Sequence, residues 1–159
     1  MQKSDYIVIL IEGLGKKIEI LDKMIEKNKV QKLILSEDEI EADDFESNLD
    51  EKSELIDLLN QLDDGFEQVY TRVRKDIKGN QELYQEEIAI MQEMITKITE
   101  KSNTIQVQEQ RNRVLAERQF AISKDKVRQV QSSRKVASQY YQNMTKLNYV
   151  DPQFMDQKK

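Results

Sequence analysis

The sequence predicts an all-α protein: an elongated antiparallel three-helix bundle or coiled coil whose long C-terminal helix extends beyond the other two. The chain of 159 residues has only one Pro and four Gly, and its bias toward Glu, Lys, Gln, Ile and Leu favours helix. Its apolar residues recur at alternating steps of four and three, the spacing of a heptad seam. We therefore expect one elongated helical domain over residues 1–147.

The first helix is predicted over about residues 5–35. Ser4 is a candidate N-cap, and the charge of Asp5 in the first turn suits the helix dipole. The seam of this helix consists of Ile7, Ile11, Leu14, Ile18, Leu21 and Ile25.

The second helix is predicted over about residues 43–78 and follows an acidic run. Residues 36–51 hold nine acidic residues and no basic one. They lack the Gly and the oxygen spacing of a calcium loop, so we predict a solvated connector and no metal site. Gly65 is consistent with either a tolerated kink or a helix end, and the unbroken apolar phase across it favours a continuous helix.

The third helix is predicted over about residues 81–147, after the break at Gly79. An uninterrupted helix from Leu83 to Leu147 would be on the order of 100 Å long, about twice the length of the upstream helices. After Ile105 its seam positions turn polar, so we expect residues 105–118 to stay helical with little packing. Those positions are Glu109, Asn112, Ala116 and Gln119.

The last part of this helix carries a second apolar stripe in a different phase. No upstream segment is long enough to cover it, so the sequence predicts an exposed stripe that binds a partner. The residues after it, 148–159, include the only Pro and are predicted to form a flexible tail. The stripe consists of Phe120, Val127, Val130, Ala137, Tyr141 and Met144.

The residue inventory argues against catalysis. The chain has no Cys and no His, which removes thiol nucleophiles, imidazole bases and the usual zinc ligands. Neighbouring acids such as Glu86 and Glu87 are interpreted as a solvated helix face. We predict no enzymatic activity, cofactor, metal or small-molecule substrate. With no signal peptide and no run of about 20 apolar residues, the chain is expected to be cytoplasmic, without a membrane span.

Charge is unevenly distributed and leaves two further interpretations open. Residues 1–100 hold 13 Lys and Arg against 25 Asp and Glu, whereas residues 101–159 hold 12 against 5. The basic C-terminal arm is compatible with nucleic-acid binding, but the acidic body would repel DNA or RNA. A self-associating coiled-coil scaffold, in which two arms form a homodimer, is the stronger alternative.

One segment resembles a known family. Residues 49–73, LDEKSELIDLLNQLDDGFEQVYTRV, resemble the acidic segment and second apolar run of flagellar export chaperones of the FlgN type. The resemblance implies a cytoplasmic chaperone that binds hook-filament junction (hook-associated) proteins, or another axial flagellar protein, and delivers them to the type III export apparatus. It also implies that the C-terminal helix binds the client, although a Gly that many members have near the corresponding Tyr is missing here. The matching positions are Phe120, Val127, Val130, Ala137, Tyr140, Tyr141 and Met144.

Overall fold

The computed structural model describes residues 5–122 and 127–145, with side chains for 5–122 and 132–144. The described residues form four α-helices that pack as an all-α bundle. The predicted flexible tail, 148–159, lies outside them. The helices are α1 (Asp5–Leu35), α2 (Ala42–Ile77), α3 (Gln85–Ile122) and α4 (Val127–Thr145).

The first two helices occupy the predicted ranges, and their ends have local causes. The hydroxyl of Ser36 donates to the carbonyl of Lys32 at 2.6 Å and helps to end α1. The α2 helix runs unbroken through Gly65, as predicted, and ends before Gly79. Gly79 has a φ of 82°, the left-handed conformation that Gly adopts at least cost. The chain therefore reverses at Gly79.

The predicted long helix over residues 81–147 is wrong. The hydroxyl of Tyr140 lies 2.6 Å from a carboxylate oxygen of Glu109, 31 residues earlier in the chain. In a continuous helix these residues would be about 46 Å apart, at 1.5 Å per residue. The guanidinium of Arg134 likewise lies over the ring of Phe120. Thus α4 runs back along α3 and does not extend beyond the bundle.

Cross-helix contacts fix the directions of the helices. α1 and α2 are antiparallel, since Lys17 pairs with Asp63 and Lys27 with Glu51. α1 and α3 are parallel, with hydrogen bonds joining Asn28 to Gln108 and the carbonyl of Leu35 to Gln119. α4 runs parallel to α2, where Ser133 contacts Glu46 and Tyr140 contacts Lys52.

The length of α4 divides the bundle into two parts. Its 19 residues span about 28 Å, roughly half the length of α2 with its 36. Among the described residues, the bundle therefore has four helices at the end where α1 finishes and three at the other. The three-helix end has an apolar core that includes Leu14, Leu59, Val73, Met91 and Ile95. Within residues 5–122 and 127–145, no helix combines the length and apolar character needed to cross a membrane.

Candidate partner-binding site

The inner face of α4 lies in the core. Ala137 is 4% exposed and Tyr140 is 1% exposed. The Tyr140 hydroxyl donates to the Glu109 carboxylate, and the Lys52 ammonium lies 4.3 Å from the centre of the Tyr140 ring. Tyr140 is thus an internal packing residue, and Ala137 beside it is also largely buried, because α4 folds back onto α2 and α3.

The core beneath α4 is polar. The Lys52 ammonium lies 2.8 Å from a carboxylate oxygen of Glu109 and donates to the side-chain carbonyl of Gln31 at 3.1 Å. The amide of Asn112 donates to the same Gln31 oxygen at 3.1 Å. With Tyr140, this buried network takes one side chain or more from each of the four helices.

Burial makes this network electrostatically costly. It lowers the pKa of the Lys52 ammonium, and the Glu109 carboxylate opposes that shift. The second carboxylate oxygen of Glu109 is buried and has no hydrogen-bond partner among the residues that the structure describes. Desolvation of a buried ion pair offsets much of its Coulombic attraction. The polar core beneath α4 therefore holds this helix less strongly than an apolar core of the same area would.

The polar network explains the fading seam of α3. Glu109, Asn112, Ala116 and Gln119 are all buried, so the expectation that residues 105–118 would have little packing is wrong. The heptad spacing continues through them, and that spacing was the signal for burial. Lys52 and Gln31 carried no comparable signal, because a charged or amide side chain on a helix is usually solvent-exposed.

A groove of about 780 Å³ runs between α3 and α4. α4 packs chiefly against α2, so its axis stands apart from α3. Arg113 lies over the ring of Tyr141 at 4.9 Å, and Arg134 lies over the ring of Phe120 at 5.6 Å. The groove is lined by Arg113, Ala116, Glu117, Phe120, Arg134, Ala137, Ser138, Tyr141 and Gln142.

The aromatic residues of this groove pack against aromatic rings on their inner side. Phe120 is 8% exposed and packs edge-to-face against Phe45 of α2, with ring centres 5.9 Å apart. Tyr141 packs edge-to-face against Tyr140 at 5.3 Å. Burial, assisted by the nearby Glu109 carboxylate, raises the pKa of the Tyr141 hydroxyl well above its ordinary value. The Tyr141 side chain therefore presents a partly buried aromatic surface to the groove.

The predicted partner-binding residues do not form one exposed stripe. Phe120, Ala137 and Tyr141 line the groove, whereas Tyr140 belongs to the core. Met144 is half-buried and packs against the core. Val127 and Val130 lie in α4, but their side chains are outside the described residues. The groove adds Ala116, Ser138 and the two arginines, which the sequence stripe did not include.

The groove combines apolar and charged side chains. Alanine and aromatic side chains form an apolar floor, and arginine side chains stand at its rim, a combination found where proteins bind amphipathic helices.

Comparison of the chain with protein-family models, with curated proteins and with solved structures finds no match.

Proposed function

We propose that this chain is a cytoplasmic chaperone of flagellar type III export that binds amphipathic helices of hook-filament junction proteins. The observation that carries the proposal is the α3–α4 groove, in which Ala116, Phe120, Ala137 and Tyr141 share one cavity beside Arg113 and Arg134. The resemblance of residues 49–73 to export chaperones of the FlgN type supports the choice of client.

The proposed mechanism is helix-in-groove recognition. A client helix with apolar residues at i, i+3 or i+4 and i+7 would place them on the floor formed by Ala116, Ala137 and the two aromatic rings. Covering the apolar face of the client helix would prevent client subunits from assembling before export. Arg113 pairs with Glu117 at 3.6 Å, so Arg113 would contribute orientation more than net charge to client binding.

The polar core beneath α4 would make it easier for the α3–α4 groove to widen around a client helix. Separating α4 from α3 would return Lys52 and Glu109 to water, which recovers hydration that an apolar core would not recover. The cost of widening the groove is thereby reduced. A client bound in this way would also be released readily, as delivery to an export apparatus requires.

Co-expression with a hook-filament junction protein, followed by size-exclusion chromatography and titration, tests the proposal. Ser138→Trp places a bulky side chain in the groove from an exposed position, and Gln139→Trp adds the same bulk at the neighbouring exposed position, outside the groove lining. We expect Ser138→Trp to weaken client binding at least tenfold and Gln139→Trp to leave it within twofold.

Two results would contradict the proposal. The first is a stoichiometric complex that tolerates Ser138→Trp as well as Gln139→Trp, which would place the client elsewhere. The second is a failure of the wild-type chain to bind any axial flagellar protein. A stable dimer of the chain alone in light scattering, with no exchange for a client, would favour the scaffold alternative.

A further inference from the structure

The outer side of α3 carries a second surface, which we call the α3 seam. Its five residues are all exposed, and they follow one another at steps of four, three, four and four. At about 100° per residue this spacing places them on one side of the helix, opposite the buried Glu109, Asn112 and Ala116. The α3 seam consists of Val107, Arg111, Val114, Arg118 and Ile122.

The apolar members of the seam serve neither the core nor the helix. Val107, Val114 and Ile122 are 64%, 62% and 63% exposed. β-Branched residues also have lower helix propensity than Ala or Leu, so their presence does not favour α3 itself. Exposed apolar residues that recur every seven or eight residues on one helix face are typical of a surface that packs against another helix.

The charged members of the seam point to the chemistry of that other helix. Arg111 and Arg118 alternate with the three apolar residues, and neither forms an ion pair with any residue that the structure describes. Arg113, two positions away, does pair with Glu117. No acidic residue belongs to the seam, which is a basic strip on a chain with a net charge of −5.

This charge argues against a second copy of the chain as the occupant. Two seams placed together would bring four arginines into one interface, and like charges on adjacent helices disfavour association. A helix that presents aliphatic residues flanked by Glu or Asp would bury the valines and pair the arginines. We infer that the α3 seam binds an acidic amphipathic helix of a partner protein.

The seam would be a second docking site, separate from the α3–α4 groove, and does not depend on the export-chaperone proposal. From Val107 to Ile122 it spans about 22 Å, or four helical turns. A single helix laid along such a length buries an area at the lower end of specific interfaces. The partner would therefore bind and exchange readily.

The test uses two synthetic three-heptad helices as probes. Both have Ile at a and Leu at d positions, one with Glu at the e and g positions and the other with Lys. Binding to the full chain is measured by fluorescence anisotropy, and the site is mapped by amide chemical-shift changes. We expect the Glu probe to bind at least tenfold more tightly than the Lys probe, with shifts concentrated on the seam.

Variants of exposed residues identify the surface, with circular dichroism to check that each one folds. Val114→Asp should weaken binding of the Glu probe at least tenfold. The double change Arg111→Glu and Arg118→Glu should reverse the preference between probes. Ile90→Asp, at a 46% exposed apolar position near the other end of α3, is the matched control and should leave binding unchanged, as should Ser138→Trp in the groove.

Several outcomes would overturn the inference. Equal affinity for the two probes, no binding of the Glu probe at millimolar concentration, or binding that survives Val114→Asp would each do so. Loss of binding in Ser138→Trp would assign the probe to the α3–α4 groove. A wild-type dimer in light scattering that Val114→Asp converts to a monomer would show that the seam is covered by a second copy.

Discussion

Replacement of Lys52 by Met is the sharpest test of the polar core. The Lys52 side chain is fully buried and its ammonium lies 2.8 Å from Glu109, whose side chain is 9% exposed. Met keeps an unbranched side chain only one atom shorter and removes the charge, so Glu109 is left as a buried carboxylate without its cation. Removing one partner of a buried ion pair costs about 3–5 kcal/mol.

Urea unfolding followed by circular dichroism measures this loss. With a slope of about 2 kcal/mol per molar urea for a small protein, a loss of about 4 kcal/mol lowers the midpoint by roughly 2 M. The matched control is Lys27→Met. Lys27 joins α1 to α2 through Glu51, but the side chains of this pair are 38% and 48% exposed. An exposed ion pair contributes less than about 1 kcal/mol, so Lys27→Met should leave the midpoint within about 0.5 M.

A double change completes the cycle. Lys52→Met combined with Glu109→Leu removes both charges together. The Tyr140 hydroxyl then loses its hydrogen-bond acceptor, which should lower the free energy of unfolding by about 1–2 kcal/mol. The double variant should therefore be more stable than either single variant. The reasoning is refuted if Lys52→Met costs no more than Lys27→Met, or if the two single losses simply add.

Three further predictions concern other parts of the fold. Gly13→Ala and Gly65→Ala should each raise the free energy of unfolding by up to about 1 kcal/mol, because the added Cβ meets no atom within 4 Å and Ala favours helix. Gly79→Ala, at a position of positive φ, should lower the free energy of unfolding by about 1–2 kcal/mol. Urea midpoints measure both effects. Gln119→Leu leaves two carbonyls around the end of α1 without their donor and should cost about 1–3 kcal/mol, again by urea unfolding. Because the folded-state pKa of Tyr141 is raised, the unfolded chain loses this proton first, near its ordinary pKa of 10, and stability falls as pH rises beyond that value. Tyr141→Phe should remove part of that fall and run parallel to wild type between pH 7 and 9; identical alkaline profiles would contradict the assignment.

The sequence was a good guide to α1 and α2. Both have regular apolar spacing, and the break after α2 has the local signature of Gly79, whose positive φ is the conformation that favours Gly. The apolar phase across Gly65 correctly indicated a continuous helix. In these parts of the chain, local preference and tertiary packing favour the same conformation.

The sequence was a poor guide to the four-helix end. Residues 123–126 read Ser-Lys-Asp-Lys, with no Pro or Gly to mark a chain reversal. The polar seam positions of α3 were interpreted as a loss of packing, because apolar periodicity does not detect a buried ion pair. Burial of Glu109 depends on Lys52 from α2 and on Tyr140 from α4, which are far away along the chain. The α3–α4 groove follows from the same long-range contacts, so the sequence stripe identified only three of its lining residues.

Taken alone, the sequence determined the all-α class, the limits of α1 and α2 and the reversal at Gly79, since each depends on neighbouring residues and on helical periodicity. Only the tertiary structure decided that α4 returns along α3, that polar side chains fill the core beneath it and that a groove opens between the two helices. The physical reason is that residues 123–126 contain neither Pro nor Gly, so the local sequence does not decide between one continuous helix and two separate helices. The contacts of α4 with α2 and α3 then determine which of them occurs.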